Sequence, residues 1–224
     1  MANLIDKYFS THLNLSMDDA VRLHKEYYNN YGLAIEGLVR HHQIDPLDYN
    51  AKVDDALPLE DIIKPDPELR KLLEDIDTNK VRLWLLTNAY VTHGKRVVKL
   101  LGIDDLFEGL TFCNYSAVPF VCKPQPAMYA KAMHEAGIES FQDCYFVGKD
   151  TSTFQSFVTG ARFNMLSADD SYQNCAKAKE LGWTVAHLVE EGLKVPETPA
   201  SQYQIQHLQE LRSVFPQFFK STPA

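Results

Sequence analysis

The sequence predicts an α/β fold: a parallel sheet of strands alternating with helices, preceded by an N-terminal helical unit. Three observations carry this. Residues 1 to about 75 show helical spacing with no strand-like run. From Val81 onward, short apolar runs alternate with amphipathic stretches, and Gly102, Gly137 and Gly182 stand where helices would stop. Strands separated by helices pair in parallel through right-handed crossovers, which is why alternation points to a parallel sheet.

In the helical unit, Ser16 followed by Asp19 is a capping-box-like start, and the pattern runs through Ala20, Leu23 and Tyr27 to a stop at Gly32. A second helix passes through Ile35, Leu38 and Val39, residues Pro58 to Ile63 read as loop, and Asp66-Pro67 opens a helix with Leu69, Leu72, Leu73 and Ile76 on one face. The strand around which the second part is organised is Val81 to Leu86. Its apolar run, broken only by Arg82, is too short for a buried helix and suits a strand buried on both faces. Beyond it come a helix from Thr92 to Leu101, a short strand at Leu110 to Cys113, a helix from Pro126 to Ala136 and a strand at Cys144 to Val147. A helix from Ser171 to Leu181 and a strand at Trp183 to Val189 follow; Val195 to Pro199 is loop, and Ile205 to Val214 reads as a last amphipathic helix. The expected division is a helical unit over 1–75 and an α/β core over 76–224.

Composition narrows the function classes. The chain has 224 residues, 45% of them hydrophobic, and a net charge of −8. That acidic balance argues against nucleic-acid and anionic-membrane partners, which need basic clusters, and favours small molecules. No apolar run approaches the ~18 residues of a membrane span, and the first residues do not read as a signal peptide. A cytoplasmic or nuclear location is expected by elimination. Cys113, Cys122, Cys144 and Cys175 lack C-x-x-C spacing and read as reduced core residues.

Three features of the second part suit chemistry on a phosphate. Thr87-Asn88 ends the organising strand, Lys123-Pro124 precedes a helix, and Asp169-Asp170 stands in front of Ser171. A hydroxyl and an amide can donate to phosphoryl oxygens, an ammonium adds a point positive charge, and paired carboxylates are hard ligands for Mg²⁺. Each alone has a structural reading too: a strand-end cap, a solvated helix entry, and an N-cap facing the helix dipole.

In that order the three resemble the second, third and fourth motifs of the haloacid dehalogenase (HAD) superfamily. LLTNAY, LLGIDDLFEGL, VCKPQPAMY and CYFV, followed later by DDS, are similar to its pyrimidine 5′-nucleotidase-like branch, and the N-terminal helices resemble its helical cap. The resemblance implies a HAD-like Rossmannoid sheet and a Mg²⁺-dependent phosphatase of small phosphate monoesters, with a pyrimidine nucleoside 5′-monophosphate as substrate. Thr87 and Asn88 would bind the phosphoryl group, Lys123 would neutralise it and orient the nucleophile, and Asp169 with Asp170 would hold Mg²⁺. A haloacid dehalogenase proper, needing no Mg²⁺, would gain little from that acidic pair.

The sequence departs from the family pattern twice. The family's first motif, an apolar strand ending D-x-D that supplies the nucleophilic and acid/base aspartates, is not found. Asp75-Ile76-Asp77 falls at a helix end and Asp66 in a loop. The chain opens on cap-like helix, and the central first strand is expected to be missing between the strands at 81–86 and 144–147. Second, residues 148–168 separate CYFV from DDS; joining Val147 to Asp169 would restore a continuous strand, acidic turn and helix, so the stretch reads as translated intervening sequence. Within it, Gly148-Lys149-Asp150 is a competing acidic motif with a single carboxylate.

Without the central strand, unmade buried hydrogen bonds would cost ~1–3 kcal/mol each, and an unstable, catalytically inactive chain is expected. The alternative is a silent HAD-fold protein that binds a partner through the same cleft. In the cap, Tyr27, Tyr28, Tyr31, His41 and His42 offer either a stacking face for a base or aromatic packing of the cap's own core.

Overall fold

The computed structural model describes residues 2–149, 171–189 and 197–221. Its first part holds α1 (Ala2–Leu13), α2 (Met17–Tyr31), α3 (Ala34–His41), α4 (Pro46–Lys52), α5 (Leu59–Ile62) and α6 (Pro67–Glu74). The local signals work as anticipated. The Ser16 hydroxyl oxygen accepts the Asp19 amide proton at 3.2 Å, and Gly32 closes α2 at φ +73°. The Asp66 carboxylate accepts the amide protons of Glu68 and Leu69 at the start of α6, with Pro67 at the first helical position. The stretch Pro58 to Ile63, expected as loop, contains the single-turn α5, because the Ile63 amide donates to the Leu59 carbonyl at 2.7 Å and closes one helical turn.

The remaining elements are β1 (Trp84–Thr87), α7 (Val91–Leu101), β2 (Gly109–Phe112), α8 (Pro126–Ala136), β3 (Tyr145–Lys149), α9 (Ser171–Glu180), β4 (Thr184–Leu188), β5 (Tyr203–Ile205) and α10 (Leu211–Val214). Among the described residues these strands pair in parallel, and an isolated antiparallel bridge joins Ile76 to Phe219. β1 lies on β2 with Leu85 opposite Leu110 and Thr87 opposite Phe112. β3, β4 and β5 form a second group, with Val147 opposite Ala186 and Leu188 opposite Ile205. Among the described residues β1 and β3 are not paired, so the sheet comes in two pieces.

Side chains connect what the backbone does not. Leu86 of β1 shares a cluster with Phe146 of β3, Met128 and Tyr129 of α8, and Val185 of β4. Helix α6 spans the divide from the other side: Leu69 and Leu73 pack with Leu85 and Val98, whereas Leu72 packs with Ala186, Leu188 and Ile205. It therefore shares its core with the strands. The earlier helices form a separate cluster around Phe9, Ile35, Leu38 and Val53, closed by Cys113, Tyr115, Phe120 and Cys122 from the loop after β2. The helical layer is thus seated on the loops that leave the strands.

The observed boundaries differ from the expected ones where tertiary packing decides. The organising strand begins at Trp84 rather than Val81, since its partner β2 starts only at Gly109. Ile205, read as the start of a helix, instead ends β5: buried beside Leu188, its carbonyl accepts the Val189 amide proton at 2.9 Å. Only a 3₁₀ turn at Leu208–Glu210 and the four-residue α10 remain of that helix. β3 continues two residues past Val147, pairing Gly148 with His187 and Lys149 with Leu188, so the segment set apart at 148–168 starts inside a strand. Its remainder, Asp150 included, lies outside the described residues. All four cysteines are buried, and none is in a disulfide.

Candidate functional site

β1 delivers Thr87 to the edge of the helical layer, and a turn over Asn88, Ala89 and Tyr90 leads into α7. Thr87 is buried, and its hydroxyl oxygen accepts the Ala89 amide proton at 3.0 Å. That is the strand-end cap that a threonine here would supply, and it leaves the hydroxyl proton available for donation. Asn88 reaches across to the segment before α8. Its side-chain oxygen accepts the Lys123 amide proton at 2.7 Å, and its side-chain nitrogen donates to the Lys123 carbonyl at 2.9 Å. One amide side chain therefore satisfies both main-chain groups of Lys123 and ties together two segments 35 residues apart.

The Lys123 side chain is fully buried. Its Nζ donates to the Leu86 carbonyl of β1 at 3.1 Å and stands 5.7 Å from the Phe146 ring centroid of β3, so the ammonium bridges the two sheet pieces. Burial pushes its pKa down to about 7, against the opposing influence of Cys175 and Cys122. The peptide bond from Lys123 to Pro124 is cis. Gly32 meets this segment from the helical layer: a Cβ there would lie 2.8 Å from the Lys123 carbonyl oxygen and 2.7 Å from Pro124 Cδ. Thus Thr87, Asn88 and Lys123 are brought together, under the end of α2.

Asp169 and Asp170 lie outside the described residues. Among the described residues no three His, Cys, Asp or Glu side chains converge as a metal site. The side chains in place at this mouth therefore do not by themselves fit Mg²⁺, and no step through a metal follows from them.

Of the cap aromatics Tyr27 belongs to the cap's own core, whereas His41 is exposed. Tyr27 is buried, its hydroxyl 2.8 Å from His42 Nε2 and its ring stacked on His41 at 5.4 Å. Tyr31 pairs with His41 Nε2 at 2.6 Å and carries Arg40 4.9 Å above its ring. Burial raises the Tyr27 pKa and lowers that of His42.

Two residues near the mouth escape a sequence reading. Tyr115, in the loop after β2, is fully buried, with its hydroxyl 3.5 Å from both the Asp54 carboxylate and the Asn88 carbonyl. Asp54 is buried between α4 and α5, and desolvation, aided by the charge of Asp55, raises its pKa to about 7 despite the Tyr115 hydroxyl. Neither sits in a recognisable pattern; the only sequence signal was an acidic pair, Asp54-Asp55, in an otherwise apolar stretch.

A model of the haloacid dehalogenase-like hydrolases matches residues 5–149, and the chain belongs to that family. The matched region ends at Lys149, the last residue of β3. Phosphate metabolism protein 8 of Saccharomyces cerevisiae is 38% identical over 181 residues, which cover 77% of this chain and 56% of that protein, so the chain spans about half the length of this curated relative. Two solved structures share the fold. A HAD phosphatase from Thermococcus onnurineus has a TM-score of 0.52 at 16% identity, covering 94% of this chain and 86% of its own. A dehalogenase with intermediate complex has a TM-score of 0.55 at 15% identity, covering 97% and 92%. The HAD-like α/β fold and the membership in a hydrolase family read from the sequence both stand.

Proposed function

We propose that the chain carries the phosphoryl-binding side of a Mg²⁺-dependent phosphatase acting on small phosphate monoesters, of the pyrimidine 5′-nucleotidase-like branch, in the cytoplasm. The observation that supports this most is the two-bond clamp of Asn88 on Lys123, because it holds a hydroxyl, a turn of backbone amides and an ammonium at one strand-end mouth. Donors fixed before the ligand arrives cost no reorganisation when a dianion binds. In this reading the Thr87 hydroxyl and the amides of Asn88 and Tyr90 donate to phosphoryl oxygens, and protonated Lys123 offsets the charge of the dianion. By the family resemblance Asp169 and Asp170, which lie outside the described residues, would hold Mg²⁺, and the ion would supply further positive charge. The relative's name, a phosphate metabolism protein, agrees with a phosphate-handling role. The division into a helical cap over 1–75 and a core over 76–224 belongs to the same proposal, with α6 physically part of the core.

Aspartyl-phosphate chemistry requires a carboxylate in line with phosphorus. The sequence contains no apolar strand ending D-x-D, and we propose that these 224 residues bind phosphate without turning a monoester over. A silent binding protein of the same fold is the second reading, favoured by the absence of convergent carboxylates among the described residues. The test is thermal shift with inorganic phosphate, alongside release of phosphate from a pyrimidine nucleoside 5′-monophosphate in Mg²⁺. Stabilisation by phosphate that disappears in Lys123→Met supports the site; steady phosphate release by the unaltered chain overturns the inactivity.

A further inference from the structure

The segment that leaves α4 is fastened to the start of α7. Thr92 donates to the Asp55 carboxylate at 3.2 Å, and Arg96 donates to the carbonyls of Asp55 at 3.2 Å and Leu57 at 2.9 Å. Asp54 is therefore carried on a segment tied, through its neighbours Asp55 and Leu57, to the helix that follows the Thr87-Asn88 turn. Its carboxylate faces inward, where the Tyr115 hydroxyl stands midway, 3.5 Å from Asp54 Oδ2 and 3.5 Å from the Asn88 carbonyl oxygen. The Tyr115 ring is itself wedged, stacked on Tyr90 at 5.3 Å and tilted against Phe120 at 5.6 Å. A fully buried hydroxyl must find its partners locally, and these two oxygens are what the site offers.

We propose that Asp54 and Tyr115 are positioning residues: through the shared hydroxyl they hold the Asn88 carbonyl, and so set the turn whose side chain clamps Lys123. The inference deepens the phosphate-site reading and rests on it for its functional meaning. A carboxyl kept neutral by burial can donate to the tyrosine oxygen, freeing the tyrosine proton for the Asn88 carbonyl, whereas a carboxylate claims that proton for itself. The Asn88 turn then has its full set of partners only in the first arrangement.

The experiment is hydrogen exchange read by mass spectrometry on the whole chain and three variants. Tyr115→Phe keeps the stacked ring and removes only the hydroxyl; Asp54→Asn keeps an acceptor and a donor; Asp54→Leu keeps neither. Exchange in the segments 87–90 and 122–124 is expected to quicken roughly five- to tenfold in Tyr115→Phe and Asp54→Leu, the weight of about one net hydrogen bond, and to stay near the original in Asp54→Asn. Unchanged exchange in those segments overturns the proposal. So does a rise shared equally by α1, α2 and β4, which would mark plain loss of stability, and so does equal behaviour of the two Asp54 variants. Inorganic phosphate added to the unaltered chain tests the other reading separately: no binding there sinks the phosphate site while the exchange comparison still decides the role of Asp54 and Tyr115.

Discussion

Asn88 and Lys123 exchange two hydrogen bonds through a single side chain, 2.7 Å to the lysine amide and 2.9 Å to its carbonyl, and no surface water competes because Lys123 is fully buried. Removing that side chain in Asn88→Ala leaves two buried main-chain groups without their partners. At ~1–3 kcal/mol each, the loss should total roughly 2–6 kcal/mol in urea unfolding. Asn88→Asp, which can still accept from the amide but cannot donate to the carbonyl, should fall between. Equal stability of all three would show that the clamp is decorative.

Gly32 and Gly102 make a matched pair for separating backbone strain from crowding. Both lie in the left-handed region, at φ +73° and +69°. At Gly102 an added Cβ meets only Pro65 Cβ at 3.8 Å, so Gly102→Ala should cost about 1 kcal/mol from conformation alone. At Gly32 the same atom presses on the Lys123 carbonyl and Pro124, so Gly32→Ala should cost at least about 1 kcal/mol more and should also weaken binding of inorganic phosphate. Urea midpoints and a phosphate titration of the two variants check this.

Asp54 predicts a pH dependence with a definite sign. Its pKa rises from 3.8 to about 7 in the fold, chiefly through burial. Between those values the native chain holds a proton that the unfolded chain has released. The corresponding stability, a few kcal/mol, is complete below 3.8 and is lost as pH rises through about 7. The urea midpoint should therefore decline between about pH 4 and about pH 7, and Asp54→Asn should lack that part of the decline.

The divided sheet predicts weak thermal resistance. β1 and β3 are unpaired to one another among the described residues, while Lys123, Leu86, Phe146 and α6 link the two pieces through side chains. Backbone groups left unpaired along both edges would consume much of the ~5–15 kcal/mol available to a typical domain. A calorimetric midpoint below about 50 °C is expected; a cooperative transition above it would show that the side-chain bridge suffices.

Much of this was legible in the sequence where the determinant is local. The Ser16 cap, Asp66-Pro67, and the stops at Gly32, Gly102 and Gly137 depend on a few adjacent residues, and each helix they delimit is found close to its expected place. Thr87, Asn88 and Lys123 were visible for a related reason: a strand end and a helix entry advertise where side chains converge. Ile205 was misread because a buried Leu188 alongside it, not its own periodicity, makes it a strand residue. Tyr115 and Asp54 were invisible because their meeting joins positions 61 residues apart, and nothing in either neighbourhood records it.

The two sheet pieces also differ in a way that optical spectroscopy can exploit, since each contains one of the two tryptophans. Trp84 lies over Gly109, with its indole donating to Thr111 Oγ1 at 2.9 Å, while Trp183 stands edge-on to Tyr129 at 5.4 Å. Replacing either indole by phenylalanine leaves a single tryptophan to excite selectively above the tyrosine absorption. Emission from the two single-tryptophan chains then reveals whether the halves come apart together or in succession.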